Sequence, residues 1–381
     1  MPRFCPPVLV LALALFAFLP APARAQGQAV ESTDSDIGIT LGGLLQGRLS
    51  YLRTASAGEV PSAERLGFGM RRVRLRFDVD LGERVGFFAQ LGGGSGSLGV
   101  LDIFASYQVN ERVRVRLGRM ASAQPRAFIL TSGAAIDAID RAVITERWGA
   151  RTLSPDGRDF GLDVQLQGER GRVLLFLHNG YGNWSSARGN LRGSLSSADP
   201  LSGQDHIGMA LSLYGDYRPE AFAGLEVGGF VGLNGAQNPL TERTANGGGR
   251  TYASYAAHLY WGAVPGSQPV RAKADVIGVR YAAPEGGGEA TSTLGLSLLG
   301  AVRAGRGGEV FGRVESYQEE DAFAQAGNLP YWTVGASLSP SALRGGPYPR
   351  ERFTLAYSTT RPDFPGAGRR HLVILQAQIV F

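Results

Sequence analysis

The sequence predicts an all-β protein: a sixteen-stranded antiparallel transmembrane β-barrel with short periplasmic turns, long extracellular loops and an inward-folded third loop. Three observations predict it. Apolar and polar residues alternate with period two in sixteen short stretches. The connections between those stretches are alternately short and long, as in outer-membrane barrels. No apolar run after the N-terminus approaches the ~18 residues that a spanning helix needs. Composition agrees: Gly supplies 55 of 381 residues, hydrophobic residues 44 %, and mean hydropathy is −0.05. Half of every barrel strand is polar, which keeps hydropathy near zero.

The start of the chain sets the compartment. Arg3, the apolar run Val8–Leu19 and Pro20-Ala21-Pro22-Ala23-Arg24-Ala25 have the three-part form of a secretory signal. Residues 1–25 are therefore read as a signal peptide, cleaved between Ala25 and Gln26. Residues 26–36 form a short polar lead, and 37–381 the barrel domain. The expected location is the outer membrane of a Gram-negative-type bacterium. Cys5 is the only cysteine and leaves with the signal, which excludes disulfides and thiolate sites from the mature chain. The net charge of +5 falls to +3 once Arg3 and Arg24 are removed. Lys273 is the single lysine.

From Ile37, apolar Ile39, Leu41, Leu45 and Leu49 alternate with Thr40, Gln46, Arg48 and Ser50. The second strand, Met70–Asp80, sets Val73, Leu75, Phe77 and Val79 against Arg72, Arg74, Arg76, Asp78 and Asp80. Arg84–Gly93 and Gly99–Val109 follow. Glu111–Arg119 then carries Arg112, Arg114 and Arg116 opposite Val113, Val115 and Leu117. Eleven further strands lie beyond residue 157, beginning with Arg158–Gly168 and Gly171–Tyr181; one spans Pro330–Ser341. The last, Arg370–Phe381, ends on an aromatic with Ile379, Ala377, Leu375 and Val373 in phase. Phe381 thus has the character of an assembly signal read by the barrel-assembly machinery. Aromatics near strand ends, including Tyr107, Tyr217, Phe222, Trp261, Tyr281, Tyr331 and Trp332, fit interfacial girdles in contact with outer-membrane lipid.

An even strand count places both termini at the short-turn rim. The stretch 118–161 then becomes the third outer loop with its flanks, and its length marks it as functional. Between Arg119 and Asp159 it carries six arginines and five carboxylates. Arg126, Asp137, Asp140, Arg141, Glu146, Arg147, Arg158 and Asp159 are its candidate constriction charges, with Glu146-Arg147 and Arg158-Asp159 read as anchors. Lipid-facing arginine at mid-depth costs ~2–4 kcal/mol, so charged strand faces point inward. Arg72, Arg74, Arg76, Arg112, Arg114, Arg116, Arg271 and Lys273 are the candidate pore-lining residues, with Arg48 and Arg313 beside them. Same-face neighbours lie about 6.8 Å apart, inside a Debye length of about 10 Å, so their fields overlap. The expected solutes are small anions.

Other classes lack their signatures. His178, His206, His258 and His371 have no metal-ligand spacing, no G-x-S-x-G elbow is present, and the Gly runs lack a following Lys-Ser/Thr. An enzyme, a cofactor, a metal and a nucleic-acid partner are therefore not expected, although a barrel hydrolase assembling Ser and His from adjacent strands would escape notice.

The residues Arg71-Arg72-Val-Arg74-Leu-Arg76-Phe and Val115-Arg-Leu-Gly118-Arg119 carry a resemblance, together with Pro125, Ile144-Thr-Glu146-Arg147 and Gly157-Arg158-Asp159-Phe160-Gly161. Over residues 40–180 this pattern resembles the phosphate-selective porin O/P family of bacterial outer-membrane porins. The resemblance implies a sixteen-stranded barrel, usually a homotrimer, with the third loop folded inward and a lumenal arginine ladder. That family also uses a lysine cluster, which a chain with one lysine does not have. The expectation is a diffusion porin with weak to moderate anion, including phosphate, preference. A channel specific for another oxyanion or organic acid, an outer-membrane enzyme and a plugged adhesive barrel are the alternatives.

Overall fold

The structure is a computed structural model that describes residues 29–31, 37–55, 62–94, 97–153, 156–180, 209–235, 251–283, 289–319, 327–328, 330–360 and 368–381. The signal peptide, its cleavage site and most long-loop tips lie outside the described residues, as do Tyr181 and His206.

Sixteen strands close into one antiparallel barrel, each paired with the next in sequence. They are β1 Ile37–Thr54, β2 Ala63–Leu81, β3 Val85–Gly93 and β4 Leu98–Asn110. Then come β5 Val113–Met120, β6 Asp159–Gln167, β7 Gly171–His178 and β8 Ala210–Tyr217. The second half is β9 Leu225–Asn234, β10 Tyr252–Trp261, β11 Val270–Tyr281 and β12 Thr291–Ala304. It ends with β13 Gly308–Glu319, β14 Tyr331–Leu338, β15 Glu351–Thr360 and β16 Arg370–Val380. Two short pieces add to the sheet: Ala29–Glu31 on β1 and Gly327–Asn328 on β13. Closure runs from Val380↔Leu44 to Arg370↔Thr54. Phe381 completes it, exchanging backbone hydrogen bonds with Gly43 while its ring occupies the space where a Cβ on Gly43 would stand.

The strand count is as expected; several boundaries shift. β2 begins at Ala63, seven residues before the expected Met70. β14 stops at Leu338 because Ser339 caps a short helix, Pro340–Leu343, with its Oγ accepting from the Ala342 N–H at 3.1 Å. Arg112 lies in the two-residue turn before β5, exposed at the rim rather than in the lumen. Tight turns close the rim; Gly82, at φ +73°, supplies the left-handed residue in the β2–β3 turn.

Alternation fixes the two faces. On β12, Leu294, Leu296 and Leu298 are exposed outward, while Thr293, Ser297 and Leu299 are buried inward. The same alternation, shifted only at bulges, gives an apolar outer band, the surface that a bilayer covers. Tyr107, Tyr217, Phe222, Trp261 and Trp332 stand exposed outside. Tyr281 and Tyr331 depart from the girdle expectation: Tyr281 is buried inside, and Tyr331 packs against the inner core. Among the described residues no helix is long and apolar enough to cross a membrane.

The chain between β5 and β6 folds into the barrel. It contains a 3₁₀ turn, Gly133–Ala135, and helix α1, Val143–Arg151. The core is where this loop meets the wall. Phe128, Ile144 and Trp148 pack with Phe176, Tyr214, Phe230, Ile277 and Tyr317, and a second cluster joins Ala138 and Ile139 to Leu299, Phe311 and Ile374.

Candidate functional site: the narrowing inside the barrel

The loop lies against the inner wall and is fastened from end to end, to β9, β11, β13, β1, β4 and β7. Apolar contacts hold α1: Trp148 packs edge-on between Phe128 and Phe230, with ring centroids at 5.6 and 5.7 Å. Ile144 sits where β12 has Gly295, since a Cβ there would lie 2.7 Å from Ile144. Four buried side chains of this size contribute about 1.5–3 kcal/mol each.

Charges fasten the rest. Arg126 bonds Glu226 on β9 at 2.7 Å. Asp137 is gripped by Arg271 at 2.6 Å and Lys273 at 2.7 Å, both on β11. Burial pushes the Asp137 carboxyl up, but Lys273 and Arg271 outweigh it and hold the group below the usual carboxylate range. Asp140 receives two hydrogen bonds from Arg48 on β1, at 2.7 and 3.1 Å. Burial opposes its ionisation, yet Arg48, Arg71 and Arg72 together hold it down to about 2. Arg313 on β13 donates to the carbonyls of Asp140 and Arg141. At the loop's exit, Arg158 pairs with Asp102 at 2.8 Å, and Asp159 bonds His178 at 2.8 Å.

The loop also meets β1 and β2, where Gln46 donates to the Gly133 carbonyl at 3.1 Å and Leu44, Gln46 and Arg72 are buried, and arginines gather there. Arg72 donates to Gln46 Oε1 at 2.8 Å, and Arg141 donates to the carbonyls of Phe128 and Thr131. Arg72, Arg74 and Arg141 form no ion pair among the described residues. They act on one another directly. Burial, and then the neighbouring Arg74 charge, push the Arg141 guanidinium down to about 9, with Glu146 opposing and Arg158 and Arg71 adding. All remain charged at neutral pH.

A β-bulge adds Arg71. The register between β1 and β2 runs Gln46↔Arg72 and then Gly47↔Met70, leaving Arg71 as the extra residue. Strict alternation would aim Arg71 at lipid; the bulge turns it inward. There it meets Asp140 at 3.1 Å and Glu146 at 3.4 Å. Burial and the Asp140 charge push the Glu146 carboxyl up despite Arg71. The narrowing therefore presents Arg48, Arg71, Arg72, Arg74 and Arg141 against Asp140 and Glu146.

The expected site residues divide accordingly. Arg72 and Arg74 both lie on the inner face of β2; Arg72 is buried beneath the loop's turn at Gly133, and Arg74 is half-buried. Arg76 stands exposed nearer the turn rim and pairs with Asp78 at 3.3 Å. Arg114 is exposed and bonds Gln108; Arg116 is paired with the fully buried Asp163. Arg271 and Lys273 are not free lining: both are buried beneath the loop as its clamps. Arg158 and Asp159 bond Asp102 and His178 at the loop's exit. Glu146 instead faces the water-filled side, and Arg147 has no ion pair among the described residues. Arg71 escaped sequence reasoning, though the Arg71-Arg72 doublet was its signal, because two adjacent strand arginines cannot both point inward without a bulge.

One arrangement bears on the enzyme alternative. Asp159, His178 and Ser212, on β6, β7 and β8, form a hydrogen-bonded chain, with His178 Nδ1 2.8 Å from Asp159 and Nε2 3.1 Å from Ser212 Oγ. The order is that of an acid, a base and a nucleophile. All three are buried, however, and Trp148 and Leu153 line the space beside Ser212. The chain fixes the loop's exit.

A closed sixteen-stranded barrel with the connection between its fifth and sixth strands folded inside has the fold of the bacterial outer-membrane porins. Solved structures that share it include the following three. An anion-selective porin from Comamonas acidovorans matches with a TM-score of 0.65 over 91 % of this chain and 100 % of that one, at 14 % identity. The outer-membrane channel DcaP of Acinetobacter baumannii gives 0.61 over 93 % and 100 %, at 14 % identity. OmpT of Vibrio cholerae gives 0.59 over 93 % and 100 %, at 11 % identity. No family model and no curated relative matches the chain.

Proposed function

We propose that this protein is an outer-membrane diffusion porin that passes small hydrophilic solutes and prefers anions. The observation that carries the reading is the arginine group where the loop meets β2: Arg72, Arg74 and Arg141 form no ion pair among the described residues, and Arg71 stands exposed beside them. Guanidinium groups there lower the energy of an anion and raise that of a cation. The anion selectivity named for the Comamonas protein supports the same direction. Purified protein in a planar bilayer under a salt gradient tests it: a reversal potential of the sign for Cl⁻ over K⁺ is expected, and the opposite sign refutes it.

Phosphate among those anions is the finer reading, resting on the family resemblance. The lysine cluster is missing, since Lys273 is committed to Asp137; arginines take its place. Block of the chloride current by low millimolar phosphate is the expected result, and no block at high concentration removes phosphate specificity. The resemblance also supports a homotrimer, which native mass in detergent tests, and export with cleavage between Ala25 and Gln26, which N-terminal sequencing tests.

A further inference from the structure

Arg71 is held firmly by one carboxylate and loosely by another. The bulge that adds it to the inner face brings its Nε to Asp140 at 3.1 Å. Asp140 is itself fixed, because Arg48 donates to both of its oxygens, at 2.7 and 3.1 Å. The second partner is Glu146, whose Oε1 lies 3.4 Å from Arg71 Nη2. A well-formed charge-assisted bond is about 2.8 Å long, so this contact is slack. Among the described residues the Glu146 carboxylate has no other hydrogen bond or ion pair, and Arg71 Nη1 has none at all.

Solvent reaches both groups. Arg71 keeps 38 % of its side chain exposed and Glu146 44 %, whereas the clamp Arg271 is fully buried. An exposed, stretched ion pair contributes little to holding a fold. Helix α1 is secured by other groups: Glu315 accepts from the Val143 N–H, and Ile144 and Trp148 pack into the core. Glu146, in the first turn of α1, can therefore swing away while Asp140 keeps Arg71 in place.

An oxyanion beside Arg71 can use donors that Glu146 leaves idle. Two of its oxygens span Nη1 and Nη2 together, the paired geometry a guanidinium offers, in place of one slack contact. A halide has a single centre and gains less. We propose that Glu146 is an intramolecular competitor for Arg71, displaced by a small oxyanion that bridges Nη1 and Nη2, and that it thereby sets the pore's affinity for oxyanions. This rests on reading the protein as an anion-preferring porin. An exposed ion pair of this kind weakens a competing ligand about two- to fivefold.

Block of the single-channel chloride current by sulfate at pH 7 tests it with the full chain in planar bilayers. Glu146→Gln should tighten the block about two- to fivefold and Arg71→Gln should weaken it. In the double variant the gain from Glu146→Gln should disappear. An equal gain with and without Arg71 makes Glu146 a repelling charge only and refutes the competition; so does an absence of sulfate block at high concentration. The native reversal potential, recorded in the same bilayers, separates the two readings. The sign for Cl⁻ over K⁺ with an equal gain removes the competition alone, whereas the opposite sign removes both. Crystals of the full chain soaked in selenate give a second measurement. An anomalous peak at Arg71 Nη1 and Nη2 with Glu146 turned away is expected, and an intact Arg71–Glu146 pair overturns the proposal.

Discussion

Neutralising Arg74 isolates the charge effect of the narrowing from its architecture. Arg74 makes no hydrogen bond or ion pair among the described residues, so Arg74→Gln removes a field without loosening the loop. The size of the effect follows from Coulomb's law. At about 6.8 Å, the same-face spacing of a strand, a unit charge acts on a monovalent ion with about 0.6 kcal/mol in bulk water and about 2.4 kcal/mol at an effective dielectric of about 20. The lumen is wet, so the lower figure applies. At about 0.1 M salt, screening over a Debye length of about 10 Å halves it to about 0.3 kcal/mol. An anion loses this and a cation gains it, so the permeability ratio moves by about 0.6 kcal/mol, close to threefold. Reversal potentials in planar bilayers measure that ratio. The expected result is an anion-to-cation ratio about threefold lower for Arg74→Gln at about 0.1 M, with the difference vanishing near 1 M, where the Debye length is about 3 Å. A ratio unchanged at low salt, or an equal shift at both concentrations, refutes the electrostatic account.

Further outcomes follow from the loop. Glu146 is pushed up by burial and by Asp140, so acidification from pH 7 toward 4.5 neutralises it first and raises anion preference; reversal potentials across that range read the change. Asp140, with its folded pKa held down to about 2, stabilises the loop fully above the free-carboxylate range and loses that contribution only as pH falls through about 2; gating noise should stay low until then. Trp148→Ala empties the pocket between Phe128 and Phe230, at a cost of about 3–5 kcal/mol. Single-channel records should then show larger, noisier conductance, whereas a native-like trace argues that α1 is not the loop's main pillar. A fluorophosphonate probe should leave Ser212 unmodified, because Trp148 and Leu153 cover it; labelling that Ser212→Ala abolishes would revive the hydrolase alternative.

The barrel was legible because a bilayer imposes its pattern on every strand. Lipid on one side and water or loop on the other force the period of two, so all sixteen strands appear in the residue order alone. What the pattern gives is a face, not a partner. Arg271 and Lys273 share the inner face with Arg72 and Arg74, and nothing local distinguishes them; Asp137, more than 130 residues earlier, makes two of them clamps. Helix α1 was missed because its burial comes from Phe230, Gly295 and Tyr317, which lie far away in sequence. Ile144 and Trp148, four residues apart, were its local trace. Arg71 was missed for a different reason. A bulge shifts the phase by one residue, and a reading that assumes constant phase assigns the extra residue to the wrong side.

The near-neutral charge of the loop therefore says little about selectivity; what matters is which charges water can reach. Beneath the loop, low dielectric makes an unpaired ion costly, and Arg126, Arg271, Lys273 and Arg158 each meet a carboxylate. These pairs cancel at a distance and serve as fasteners. Arg74 on β2 is only half-buried, and water screens it well enough for it to stand without a carboxylate. An arginine count over the lumen would weigh both groups equally and overstate the field. The fasteners fix where the loop stands, and on the proposed reading the arginines left without carboxylates set the sign of the gap. Reversing a fastener, as in the paired exchange Asp102→Arg with Arg158→Asp, should then leave the permeability ratio within about twofold of native, because the net charge and the pair's cancellation are both kept. A shift as large as that of Arg74→Gln would mean that the buried pairs also shape the field, and the division between fastener and filter would fail.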